Sequence, residues 1–239
     1  MTGHLRFAAT AAAGAGLNLA AFLPPLMLGG GWHPAREPAA LAFVALTTLW
    51  IVIEACAVHA ARREVPAPDP TGALPWISAA AVFVALWLAL YERGSFVPFG
   101  AAYGAVVGGT VMVAGIALRT LAILTLGPCF LDAAAVLSDH ELIVRGVYRH
   151  VRHPAELGTL CLVLGAALLL GSAVALGAIV PLAGLAVWRI RGEEAVLWSW
   201  HPAEWSAYRR AVPALIPGIP VRPRRRRLLA ALRQRLAAH

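Results

Sequence analysis

The sequence predicts an all-α protein, a polytopic membrane bundle of about six transmembrane helices with a helical hairpin in its C-terminal half. Three observations carry this. Of the 239 residues, 60% are hydrophobic and 13% are charged, about half the charged share of ~25% in a soluble globular domain. The apolar residues gather in long unbroken blocks. The arginines fall almost entirely on one side of the membrane implied by those blocks.

The first block runs from Leu5 to Leu28, broken by Asn18 and the Pro24-Pro25 pair. It exceeds a signal-peptide core and leads into further blocks, so it is expected to be a first span. A second runs from Leu41 to Ala60 and ends at Arg62-Arg63, and a Pro-rich loop follows. A third spans Leu74 to Leu90 and closes on Tyr91-Glu92-Arg93. The fourth, Val97 to Leu118, carries Gly100, Gly104 and Gly108 at four-residue spacing, one helix face where a neighbour's backbone can approach. Beyond it, Leu126 to Arg152 is less apolar, with Pro128, Asp132, Asp139, His140 and Glu141. Leu157 to Ile190 is a 34-residue block, apolar up to Arg189, where one span needs about 20 residues. Gly171-Ser172 divides the region into Pro154–Leu170 and Ala173–Ile190, of 17 and 18 residues, each about 26 Å long at 1.5 Å per residue. Three regions result: a four-helix membrane region over 1–125, a core over 126–217, and a basic tail over 218–239.

With six spans and the N-terminus inside, the outer loops hold only Arg36 and Arg93, against eighteen arginines on the inner side. All twenty basic residues are arginine, a usage that fits high-GC coding, and the expected location is a bacterial inner membrane with the charged stretches on its cytoplasmic face. The net charge of +8 collects at the C-terminus and in a central cluster, which points to an anionic membrane surface before nucleic acid. The tail from Arg222 to His239 has seven arginines and a Leu228-Leu229-Leu232-Leu236 set at helical spacing, the pattern of an amphipathic helix lying on an anionic leaflet. Cys56, Cys129 and Cys161 show no paired spacing, which argues against a disulfide framework or zinc site.

The central cluster places Arg145, Arg149, His150, Arg152 and His153 within nine residues, directly before Pro154. Proline suits the first turn of a helix, where its missing N–H is no loss. His153 then stands at a helix N-terminus, whose unpaired N–H groups and dipole favour an anion. Topology alone accounts equally well for Arg145 and Arg149. His150 and His153 have a spacing known in metal sites, but a third ligand is lacking and no metal is expected. At the other end of the hairpin, Arg189 and Glu193 lie four apart and can pair on a helix, with Glu194 beside them. Adjacent carboxylates at a bilayer surface are costly unless paired or used. Glu54 lies inside the second block, where a carboxylate is a functional candidate, although near a helix end it can also reach the interface. Asn18 reads as helix-packing glue.

Together, Gly146-x-Tyr-Arg-x-x-Arg-His-Pro-x-x-x-Gly158, the glycine-broken hairpin, Arg189-Ile-x-x-Glu-Glu-x-x-Leu197, an aromatic-rich segment and Pro217 resemble the isoprenylcysteine carboxyl methyltransferase family, kin to the phospholipid N-methyltransferases. The resemblance covers roughly Leu142 to Pro217, about a third of the chain. It implies S-adenosylmethionine as methyl donor, held at the cytoplasmic face by the loop before the hairpin. By position, Tyr148, Arg152, His153, Pro154 and Gly158 match the family's cofactor motif, with Glu194 also on the cofactor side. Arg189 and Glu193 match the part that orients the acceptor, and are the catalytic candidates. The acceptor implied is a lipophilic small molecule or lipid. A carboxylate is favoured because it needs no deprotonation; an amine, phenol or thiol would want a base, with Glu193 or His153 available. Two positions depart from the family: Glu156 and Trp205 stand where tyrosine is usual. Glu156 is four residues after Arg152, a pairing distance on a helix. Two alternatives remain beside this reading. One is an NADPH-dependent membrane reductase of the sterol-reductase type, which shares the hairpin and the Arg-His-Pro pattern; the other is a non-catalytic protein of the same fold.

Overall fold

The computed structural model describes residues 2–29, 37–61, 73–95, 101–127, 142–200 and 202–216. Among them are seven α-helices: α1 Thr2–Leu28, α2 Glu37–Ala61, α3 Leu74–Tyr91, α4 Ala101–Leu126, α5 Pro154–Leu170, α6 Ala173–Trp200 and α7 Pro202–Ala211. Five of these, α1 to α4 and α6, are long and apolar enough to cross a membrane. The 17-residue α5 is equally apolar but shorter. Asp132, Asp139, His140, Glu141 and Cys129, like Gly100 and the arginine-rich tail, lie outside the described residues.

Two predicted boundaries move. The fourth helix begins at Ala101 and runs to Leu126, past Arg119, where the sequence suggested an end at Leu118. Arg119 does not terminate the helix because its charge is met inside the bundle by Glu54 of α2. The returning helix does not stop at Ile190 but continues to Trp200. Leu, Ala, Glu and Arg are strong helix formers, and Arg189 pairs with Glu193 one turn on at 3.2 Å, so the helix persists as it leaves the apolar layer.

The packing centre is the α4–α5 pair. Gly104 and Gly108 do lie on the face that meets α5, and the face extends to Gly115. A Cβ on Gly115 would come within 2.6 Å of the Gly158 carbonyl, and one on Gly158 within 2.7 Å of the Gly115 carbonyl. The two backbones are in direct contact, the arrangement by which small residues associate helices where no hydrophobic drive separates protein from lipid. Large apolar side chains such as Leu17, Val106 and Val180 project outward, as a lipid-facing surface requires.

The hairpin turns at Gly171, whose φ of 60° closes α5 in a left-handed cap, its N–H reaching Ala167 and Leu168. The segment after α3 ties this end of the bundle together. Glu92 accepts from the Ser172 hydroxyl at 2.6 Å and the Val174 N–H at 2.9 Å, capping the start of α6. Arg93, expected as a plain outer-loop charge, is 4% exposed and donates to the carbonyls of Pro25, Leu26 and Leu90. The last carbonyls of a helix lack intrahelical partners, and a guanidinium supplies several donors at once.

Candidate functional site

The stretch before α5 is one 3-10 turn, Gly146–Arg149, followed by an extended link into Pro154. It is held from below by α7 and the residues after it. Tyr208 donates its hydroxyl to the Tyr148 carbonyl at 2.7 Å. The N–H groups of Arg152 and His153 donate to the carbonyls of Pro213 and Ala214 at 2.9 and 3.0 Å. Trp205 and Tyr208, both fully buried, pack with Leu142, Val144 and Val212 into a small separate core beneath this loop. The face of Trp205 lies 5.9 Å from the Arg152 guanidinium.

Arg152 joins three segments. Its Nε and Nη2 donate to Glu194 at 3.1 and 2.9 Å, and its Nη1 donates to the carbonyls of Arg209, at 3.0 Å, and Val212. It does not pair with Glu156, four residues on. Arg152 precedes the helix and His153 is the N-cap, so helical spacing does not apply across them.

His153 makes no capping hydrogen bond to the helix. Its ring is wedged between the adjacent carboxylates of α6, Nδ1 at 3.3 Å from Glu193 and Nε2 at 3.2 Å from Glu194. Burial alone would lower its pKa, but hydrogen bonds to Glu193 and Glu194 outweigh that and raise it above the ordinary histidine value. The imidazolium is the form that donates to both carboxylates. Tyr148 is buried and its phenol is pushed well above its usual range, chiefly by desolvation, so it stays neutral. The negative charge expected near the N-terminus of α5 is thus supplied by the chain's own Glu193 and Glu194, with Glu156 in the first turn.

From Glu193 the ion pairs continue inward. Arg189 reaches Glu193 at 3.2 Å and Glu156 at 3.4 Å. Glu156 and Arg189 also line a cavity of about 680 Å³ bounded by α1, α2, α3, α5 and α6, with a single residue from α4. Phe22, Phe83, Leu86 and Leu182 are among its apolar walls, while Glu54, Arg119, Thr159, Glu156 and Arg189 gather at its polar part. There Arg119 grips Glu54 through two hydrogen bonds of 2.8 and 2.6 Å and donates to Thr159 at 3.0 Å.

The structure therefore brings Arg152, His153, Arg189, Glu193 and Glu194 into one continuous set of contacts. Glu156 joins that set through Arg189 and connects it to the cavity. Pro154 and Gly158 are buried in helix packing, Gly158 directly against α4. Tyr148 is buried as well, its carbonyl serving as the acceptor for Tyr208. Sequence reasoning missed Arg119, whose only signal was an arginine inside an apolar helix, and the role of α7 beneath the loop. Asn18 donates to Thr48 at 3.0 Å and Thr47 at 3.4 Å, joining α1 to α2, and also borders the cavity.

Fold and site together define a polytopic helical membrane protein whose buried ion-pair chain begins at a loop beyond the apolar layer and ends in an intramembrane cavity. Residues 107–199 match the family model described as the isoprenylcysteine carboxyl methyltransferase (ICMT) family. The protein-S-isoprenylcysteine O-methyltransferase of Schizosaccharomyces pombe is 36% identical over 110 residues, covering 43% of this chain and 45% of that protein. The enzyme of the same name from Tribolium castaneum is 33% identical over 120 residues, covering 47% and 41%. The matched part thus spans less than half the length of these relatives. The solved structure of the eukaryotic intramembrane Ras methyltransferase ICMT shares the fold, with a TM-score of 0.50 at 20% identity over 74% of this chain and 68% of that one. The likeness to that family runs over residues 107–199, from α4 into α6.

Proposed function

We propose that the chain is an integral-membrane methyltransferase that uses S-adenosylmethionine to methylate a lipophilic acceptor entering from the bilayer, with a carboxylate as the favoured acceptor group. The observation that carries this is the position of Arg189, which touches Glu193 of the loop-side cluster and Glu156 at the polar end of the cavity. One side chain thus stands where two reactants would meet. The asymmetry of the arginines supports a site on the cytoplasmic side of the membrane, and the all-arginine basic usage favours a bacterial inner membrane.

The donor set suits the cofactor. S-adenosylmethionine carries an ammonium, a carboxylate and a sulfonium, and the cluster offers carboxylates at Glu193 and Glu194 beside cations at His153 and Arg189. When bound, the cofactor supplies an electrophilic methyl group. What this chain contributes is positioning, which in-line displacement needs more than a strong base. His153 holds the two carboxylates at fixed separation. Arg189 orients the acceptor carboxylate, and the apolar cavity walls hold its tail and exclude water.

A second reading is favoured by one observation: Glu156 places a carboxylate at the cavity lining. An acceptor with a proton to lose, such as an amine or thiol, would find its base there.

The test is a calorimetric titration of the purified protein in detergent with S-adenosylhomocysteine. The wild type binds, and His153→Ala or Glu193→Gln weakens binding at least about tenfold, equivalent to ~1.4 kcal/mol. Unchanged titrations in both variants would remove the cofactor site from this cluster. Methyl transfer to a farnesylated cysteine derivative, compared with its carboxamide and amine analogues, separates the two acceptor readings.

A further inference from the structure

We propose that Trp50 selects the acceptor: its indole N–H bonds an oxygen carried within the acceptor's lipophilic part, about one helical turn from the reacting group. The acceptor is then a lipid chain bearing a keto or hydroxyl oxygen, and an all-hydrocarbon tail is the poorer ligand. The proposal rests on the carboxylate-acceptor reading above and concerns the apolar part of the same cavity.

The ion pairs gather at one end of that cavity, marked on α2 by Glu54. One turn back along α2, Trp50 borders the cavity too, its Nε1 buried and without a hydrogen-bond partner. An indole nitrogen is a donor only, and a buried donor left without an acceptor carries its full desolvation cost. Phenylalanine would line an apolar wall with a ring and no orphaned N–H. Membrane tryptophans commonly stand at the headgroup level. Trp50 instead lies near the middle of Glu37–Ala61, so an interfacial role does not account for it.

The surroundings fix where a ligand oxygen would sit. Asn18 of α1, 3% exposed, also borders the cavity and donates to Thr48 at 3.0 Å, two residues before Trp50. That bond braces α1 against α2 close to the level of the indole. Phe22, Phe83, Leu86 and Leu182 make other parts of the lining apolar, and a hydrogen bond made in such surroundings is stronger than one in water. Trp50 and Glu54 are four residues apart, about 6 Å along the axis at 1.5 Å per residue, the reach of about five bonds of an extended carbon chain. An acceptor whose carboxylate meets Arg189 therefore carries its oxygen near its sixth carbon. Because Nε1 is sealed, the ring turns toward the cavity as it takes up the ligand. If Trp50 served packing alone, an oxygen at that carbon would weaken binding, since a polar group would enter an apolar wall unpaired.

The experiment uses the full chain in phosphatidylcholine discs saturated with S-adenosylhomocysteine. Hexadecanoic acid is compared by calorimetry with its analogues bearing a keto group at carbon six or at carbon twelve. Indole N–H resonances of isotope-labelled tryptophan report the contact, the Trp50 signal being assigned by its loss in Trp50→Phe. The six-keto acid is expected to bind about tenfold tighter than hexadecanoic acid, equivalent to ~1.4 kcal/mol, and to shift the Trp50 resonance downfield. The twelve-keto acid is expected to do neither. Trp50→Phe is expected to bind the six-keto acid no tighter than hexadecanoic acid, while its retained binding of S-adenosylhomocysteine shows that it is folded. A preference for the six-keto acid that survives Trp50→Phe overturns the proposal. Binding of all three acids without that preference defeats this proposal alone. Binding of none of them, with S-adenosylhomocysteine still bound, defeats the carboxylate-acceptor reading with it.

Discussion

Arg119 of α4 and Glu54 of α2 face each other inside the bundle, joined by parallel hydrogen bonds of 2.8 and 2.6 Å. Both side chains are largely buried, 17% and 21% exposed, and both border the cavity. The Glu54 carboxylate is met inside the bundle by a guanidinium. Removing one partner leaves an uncompensated charge in an apolar layer. Arg119→Leu is therefore expected to destabilise by about 3–5 kcal/mol, and the double replacement by Leu at both positions by less than either single change. Thermal unfolding of the three variants in one detergent checks this; additive losses would show that the charges do not act as a pair.

His153 sets a pH limit on the site. Burial opposes its charge, but hydrogen bonds to Glu193 and Glu194 outweigh that and raise its pKa in the folded protein above the ordinary histidine value. A raised folded-state pKa contributes stability that is fully present below the unfolded value and is lost as pH rises through the folded one. The loop-side cluster is thus expected to be held fully below the ordinary histidine pKa and to weaken as pH rises through the raised one. Hydrogen exchange at 146–157 followed against pH should show this loosening in the wild type. His153→Gln, which cannot charge, should give a flat profile over the same interval.

The α4–α5 contact makes a contrast between glycines. An added methyl at Gly158 meets backbone atoms at 2.7 and 2.9 Å, whereas one at Gly184 of α6 meets nothing within 4 Å. Gly158→Ala forces two helices apart and is expected to cost several kcal/mol, beyond the usual ~1–3 kcal/mol of overpacking. Gly184→Ala is expected to be neutral or to stabilise by up to about 1 kcal/mol through helix propensity. Unfolding temperatures of the two variants decide it, and similar values would mean that the helices are not in backbone contact.

The elements most legible in the sequence were those set by local pattern. The hairpin break at Gly171-Ser172 followed from length arithmetic and a residue able to adopt positive φ. The Arg189–Glu193 pair followed from helical spacing. What stayed hidden depended on neighbours distant in the chain. Glu156 pairs with Arg189 because the hairpin returns α6 beside the first turn of α5, and Arg93 is buried because the end of α1 arrives there with open carbonyls. Nothing local to Arg119 announces Glu54, 65 residues away. The helical continuation through Gly192 was hidden by a different cause: charged residues read as the end of a span, whereas a helix continues past the bilayer without penalty.

The brace beneath the loop has a consequence for synthesis. The N–H groups of Arg152 and His153 donate to the carbonyls of Pro213 and Ala214, and the Arg152 guanidinium donates to those of Arg209 and Val212. A ribosome that has released the whole hairpin into the membrane has still made only part of this arrangement. The loop therefore acquires its final shape late in translation, after the spanning helices, and a nascent chain stopped before residue 209 would be inserted without the carbonyls that brace Arg152 and the His153 N–H.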